Sequence, residues 1–137
     1  LYADTLIRAV NSVVSQMEEH THSDGPPEER IKGAIAAWAE FFERNRGIFE
    51  ALLSGQMEIK GAQRQRFQQA GDRMDAILSA VVKDGISKGR FRKVNPLHAA
   101  WVLRGACFAI MRGSAAGGAA NAVEGICDIV LSGLRCS

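Results

Sequence analysis

Two histidines, His20 and His22, stand two residues apart beside Glu18, Glu19 and Asp24. Imidazoles and carboxylates this close could hold a metal weakly. Their spacing matches no standard site, so a solvated loop is the expected setting. A reactive thiol needs a basic neighbour and exposure. Cys107 and Cys127 lie instead in apolar helical sequence and read as small buried hydrophobes, while Cys136, beside Arg135, reads as exposed. Three cysteines at unrelated spacings imply free thiols and a cytoplasmic setting rather than a disulfide framework.

Arg104 sits between Leu103 and Gly105 on an apolar stretch. An unpaired buried guanidinium is costly, so this one is expected at a solvent edge or against an acid, ahead of a ligand role. His98, in the first turn of the same stretch, reads as a surface or interface residue. No Ser-His-Asp order, paired-carboxylate pocket, Walker motif or dinucleotide fingerprint occurs, and Gly117-Gly118 reads as a loop rather than a phosphate cradle. The expectation is a protein that is not an enzyme and needs no metal or cofactor.

The elements that carry these residues are helices. Tyr2, Leu6, Val10, Val13, Val14 and Met17 recur at three and four, one stripe on a helix from Leu1 to about His20. Such a stripe opening at the first residue implies chain upstream. After Gly25-Pro26-Pro27 a second helix carries Ile31, Ala34, Ile35, Trp38, Phe41 and Phe42, with Glu28 and Glu29 at its positive end. It loses its pattern near Asn45-Arg46-Gly47, and a short third helix spans Ile48 to Leu53. The fourth begins near Lys60, carries Phe67, Ala70, Met74, Ile77, Leu78, Val81 and Ile86, and is capped by Gly89. Asn95-Pro96 starts a fifth, to about Arg112, with Asn as cap and Pro in the first turn. Residues 113–118 read as a loop before a sixth, from about Ala119 to Arg135. No alternating strand pattern appears. The fold class is all-α, a six-helix bundle forming a single domain over residues 1–137.

The chain is 47% hydrophobic and 23% charged, ordinary for a globular domain. No apolar run is long enough for a bilayer, so no membrane partner is expected. A net charge of +2 leaves no strong nucleic-acid footprint. The fifth helix is apolar nearly all round and the sixth is rich in Ala and Gly. A helix of the first kind must be covered on more than one side. The pair is therefore expected to form half of a four-helix interface in a homodimer, burying on the order of 2,000 Å². Its residues would be Trp101, Cys107, Ile110, Val123, Ile126, Cys127, Val130 and Leu134. The plainer alternative is that both helices are simply the monomer's core.

Three stretches carry a resemblance. Leu1-Tyr2-Ala3 is similar to the end of a DNA-binding segment entering a long connecting helix. Phe41 to Phe49 resembles a break between two helices. Ile86-Ser87-Lys88-Gly89-Arg90-Phe91-Arg92 with Asn95-Pro96-Leu97-His98-Ala99-Ala100 is similar to a "Gly-x-Phe … Asp/Asn-Pro-x-x-Ala-Ala" junction. Their order resembles the C-terminal regulatory domain of the TetR family of transcriptional regulators, over the whole chain.

The resemblance implies an effector-sensing and dimerising domain of a regulator, a repressor before an activator. A small, largely apolar or aromatic effector would release it from operator DNA. That DNA would be bound only by a helix-turn-helix domain upstream of residue 1, since residues 1–137 offer none. The first helix would be the lever. The pocket is expected among the second to fifth helices, with Trp38, Phe41, Phe42, Phe49, Leu52, Met57, Phe67, Met74, Trp101, Arg104 and Phe108 as candidate liners. The competing expectation is a free-standing dimeric interaction or scaffold domain without a ligand.

Overall fold

The computed structural model describes residues 2–55, 58–114 and 119–136. Six helices follow in order: α1 Tyr2–Thr21, α2 Pro27–Arg44, α3 Arg46–Leu53, α4 Gly61–Ser87, α5 Pro96–Ser114 and α6 Ala119–Leu134. Among the described residues the only β-pairing is an isolated bridge between Phe91 and Arg135. The loop expected after the fifth helix falls mostly on residues 115–118, outside the described residues. So do Gly117-Gly118.

Chemistry at the breaks explains the boundaries. Pro27 opens α2 at a position whose amide would have no helical partner. Asn45 closes α2 and opens α3: its amide bonds the Phe41 and Phe42 carbonyls, its side chain donates to the Phe41 carbonyl at 2.8 Å, and its own carbonyl receives the Ile48 and Phe49 amides. At the start of α5, Asn95 Oδ1 accepts from the Leu97 amide at 2.9 Å, satisfying a donor that the first helical turn leaves free. Gly89 follows α4 at φ 72°, a left-handed conformation that glycine adopts without a Cβ clash.

Helix α2 touches all five other helices and forms the spine of the bundle. Its Ile31, Ala34, Ile35, Trp38, Phe41 and Phe42 are all buried, as their spacing predicts. From α1 come Leu6, Val10, Val13, Val14 and Met17, and from α4 Met74, Leu78, Val81 and Val82. Phe49 of α3 packs against Trp38, Phe41 and Phe42, with ring centroids 6.1, 5.6 and 5.2 Å away. Such pairs add to what ring burial alone contributes.

The far end of the bundle is braced by two arginines. Arg30 donates through Nε to the Thr21 carbonyl, 2.7 Å, and through Nη1 to Asp84, so one side chain joins the last turns of α1 and α4. Arg90 bonds Glu28 at the start of α2. The segment after α4 then crosses to the end of α6: the Arg92 amide donates to the Leu134 carbonyl at 2.8 Å and Arg92 Nε to the Gly133 carbonyl at 2.7 Å.

Candidate ligand site and an uncovered helical face

Four helices converge on one small, partly open space. Val10 and Val14 of α1, Trp38 of α2, Phe67, Ala70, Gly71 and Met74 of α4, and Arg104 and Phe108 of α5 enclose about 40 Å³. A single water needs roughly 10–15 Å³ by such a measure, so the space has room for a few waters at most and for no effector in this conformation.

Five of the residues expected in a pocket are here: Trp38, Phe67, Met74, Arg104 and Phe108. Others are elsewhere. Phe41, Phe42 and Phe49 are buried in the aromatic cluster at the α2–α3 break, where they fill core volume. Leu52 packs half-buried against the core. Met57 lies outside the described residues. Trp101 is 53% exposed on an outer groove between α4 and α5, stacked on His98 at 5.4 Å between centroids.

Sequence reasoning missed Val10 and Val14, which make α1 a wall of the cavity, and the small pair Ala70-Gly71. The stripe on α1 was visible; that part of it faces a void was not. Gly71 is small for a reason. A methyl there would lie 2.5 Å from Nη2 of Arg104.

Arg104 pairs with Asp75, Nη1 to Oδ2 at 2.9 Å, which is the acid partner expected for it. The pair is incomplete, because Asp75 Oδ1 is buried without a hydrogen-bond partner. Trp38 Nε1 is in the same condition. Buried polar atoms are ordinarily satisfied, so an orphan on a residue of the cavity wall and another on the acid partner of Arg104 call for a reason.

The cysteines behave as buried apolar groups, apart from Cys136. Burial pushes the Cys107 thiol up to about 12, the nearby Cys127 adds to this, and the Arg104 cation only partly opposes it. Burial also raises Cys127. All three cysteines are free. Among the described residues no three of His, Cys, Asp and Glu converge as a metal-ligand group, and no helix is long and apolar enough to cross a membrane.

A second feature lies on the outside. Leu97, Trp101, Val102 and Phe108 of α5 and Ile129 of α6 are 43–73% exposed. The residues of the expected interface set are placed as follows. Cys107, Ile110, Cys127 and Leu134 are shielded inside their own chain, because α5 and α6 turn those stripes onto α2 and onto each other. Val123, Ile126 and Val130 are half-buried against the core. The uncovered stripe is the neighbouring one, and of the expected set it includes Trp101.

Comparisons agree with this architecture. The chain is similar to PfmR, a TetR family transcriptional regulator from Thermus thermophilus, with a TM-score of 0.84 at 22% identity over 98% of this chain and 75% of that one. It is similar to a TetR/AcrR family regulator from Thermobifida fusca, with a TM-score of 0.71 at 24% identity over 97% and 74%. It is also similar to AibR, solved in complex with isovaleryl coenzyme A and operator DNA, with a TM-score of 0.66 at 16% identity over 93% and 73%. No curated protein sequence matches it. The family described as "Tetracyclin repressor-like, C-terminal domain" matches residues 24–133, about four-fifths of the chain. The chain belongs to that family, the C-terminal regulatory domains of TetR-type transcriptional regulators.

Proposed function

We propose that this chain senses a small, largely apolar effector and holds a repressor as a homodimer, with operator DNA bound through a domain upstream of residue 1. The observation that carries the reading is that one cavity is walled by both α1 and α5. Val10 and Val14 stand on one side and Arg104 and Phe108 on the other. A ligand that enlarges this space changes the distance between α1 and the exposed helix pair. A ligand shifts such an equilibrium only by its differential affinity for the two states. The complex of AibR with isovaleryl coenzyme A and operator DNA supports this reading by analogy.

The homodimer rests on the apolar face of α5 and α6. Val102 and Ile129 line one surface groove between the two helices, away from the α4–α5 groove, and exposed apolar patches of this kind mark interaction surfaces. The free cysteines suit a reducing, cytoplasmic setting.

The test is sedimentation of the chain at micromolar concentration, with a thermal-shift screen of varied apolar and amphipathic compounds. A dimer that gains several degrees with one chemical series supports the reading. A monomer with a flat screen overturns it. A dimer with a flat screen favours the second reading, a dimeric interaction domain without a ligand, which the small cavity volume favours.

A further inference from the structure

We infer that the Arg104–Asp75 ion pair is a door between the outer α4–α5 groove and the small space beside it, and that it admits an amphipathic carboxylate whose head group takes Asp75's place on Arg104. The inference rests on the effector-sensing reading and adds the chemical class of the ligand.

Arg104 belongs to the wall of the cavity and Asp75 to the wall of the groove. Their neighbours divide in the same way. Met74 and Phe108 face the cavity, while Asp72 and Trp101 face the groove. The 2.9 Å hydrogen bond thus joins a residue of the small space, about 40 Å³, to a residue of the open groove, about 530 Å³.

That bond is easily exchanged. A guanidinium and a carboxylate commonly close with two parallel bonds. Here only Asp75 Oδ2 is engaged, and Oδ1 is buried and unpartnered. Turning Asp75 outward into the groove would return that oxygen to water. The Arg104 side chain, 35% exposed, keeps further N–H groups for an incoming acceptor.

The cavity states what that acceptor should be. The polar groups of its lining residues are both donors: the Arg104 guanidinium and Trp38 Nε1–H, which is buried without a partner. The rest of the wall is apolar, from Val10, Val14, Met74 and Phe108 among others. The complement is an anionic acceptor on a short apolar body. A carboxylate can take Arg104 with one or both oxygens and compete with Asp75 on equal terms. A neutral alcohol lacks the charge to compete, and an ammonium is repelled. The walls can also yield, since Phe108 is 51% exposed and Phe67 is half-buried.

The experiment uses octanoate, octanol and octylamine as probes. Of the two tryptophans, Trp101 is replaced in W101F so that Trp38 alone reports by fluorescence, and thermal melting of the unsubstituted chain serves as a parallel readout. Octanoate is expected to perturb Trp38 and to bind at least about tenfold tighter than the other two. Arg104→Gln should abolish that preference and Arg104→Lys should restore part of it. Asp75→Asn, which removes the competing carboxylate, should tighten octanoate severalfold; melting curves of each variant check that it is folded. Octanol or octylamine matching octanoate would overturn the inference, as would unchanged octanoate affinity in R104Q and D75N, or no response to octanoate at all. In each of those cases the sensing reading survives if other compounds in the screen raise the melting temperature. It falls with the inference only if the whole screen is flat.

Discussion

Gly85 and Phe91 share one space: a methyl at Gly85 would clash with the Cδ2–Cε2 edge of the Phe91 ring, a residue only 2% exposed. The Phe91 amide also donates to the Gly85 carbonyl at 3.0 Å. The absence of a side chain on α4 is what lets the following segment fold back and reach α6.

Replacing Gly85 with Ala should therefore destabilise the fold by about 1–3 kcal/mol, the usual range for overpacking. Phe91→Ala alone should cost about 3–5 kcal/mol, as for other buried rings. Because the two residues touch, the double variant should lose less than the sum. Chemical denaturation of the three variants measures this.

Charge on the uncovered face should disrupt self-association without unfolding the chain. Ile129 is 73% exposed and Val102 58%, so neither Ile129→Glu nor Val102→Glu disturbs packing within one subunit. Each should weaken the proposed homodimer by at least about tenfold, or about 1.4 kcal/mol, since a buried unpaired charge is costly. Sedimentation across a concentration series checks it. Leu131→Ala, at a fully buried site, should instead lower the stability of the subunit itself.

Thiol labelling should separate the cysteines. Cys136 is exposed, while Cys107 and Cys127 are buried. With the pKa of Cys107 pushed up to about 12, a thiolate-directed reagent at neutral pH should modify one site in the native protein and three after denaturation. Mass spectrometry of the labelled chain gives the count.

Acid should loosen the braced end of the bundle. Hydrogen bonding from Arg90 holds the Glu28 carboxyl below its ordinary 4.5, and Arg30 and Lys88 hold Asp84 below its ordinary 3.8. Groups lowered on folding contribute their full stabilisation above the unfolded values and lose it as pH falls through the folded ones. Melting temperature should thus be insensitive to these two groups at neutral pH and fall below about pH 4.5, less steeply in Glu28→Gln.

Most helix boundaries could be read from the sequence because local chemistry sets them. Pro27, Asn45, Gly89 and Asn95-Pro96 each do in the fold what their types suggest. The sides of α5 could not be read. A helix apolar around most of its circumference does not reveal which stripe its own chain will cover. Cys107 and Ile110 went inward and Val102 and Phe108 outward, a choice made by α2 and α6 rather than by periodicity. The aromatic residues posed the same difficulty. Trp38 and Phe41 are three residues apart on one face, yet Trp38 lines the cavity and Phe41 fills the core beside Phe49. Asp75, in sequence one of several polar residues on the outer face of α4, is only 8% exposed and holds Arg104.

The Arg30 clamp has a mechanical consequence. It fastens the Thr21 end of α1, whereas the opposite end is held by Asp4 through contacts to Gln63 and Arg66 that lie near solvent. A rod of 20 residues, about 30 Å long, is thus fastened by a part-buried arginine at one tip, while the other is held by the packing of Ala3, Leu6 and Ile7 and by polar contacts near solvent. Val10 and Val14 sit midway between them. Any outward pressure there becomes a tilt that grows with distance from the Arg30 fulcrum, toward the Asp4 end of the rod.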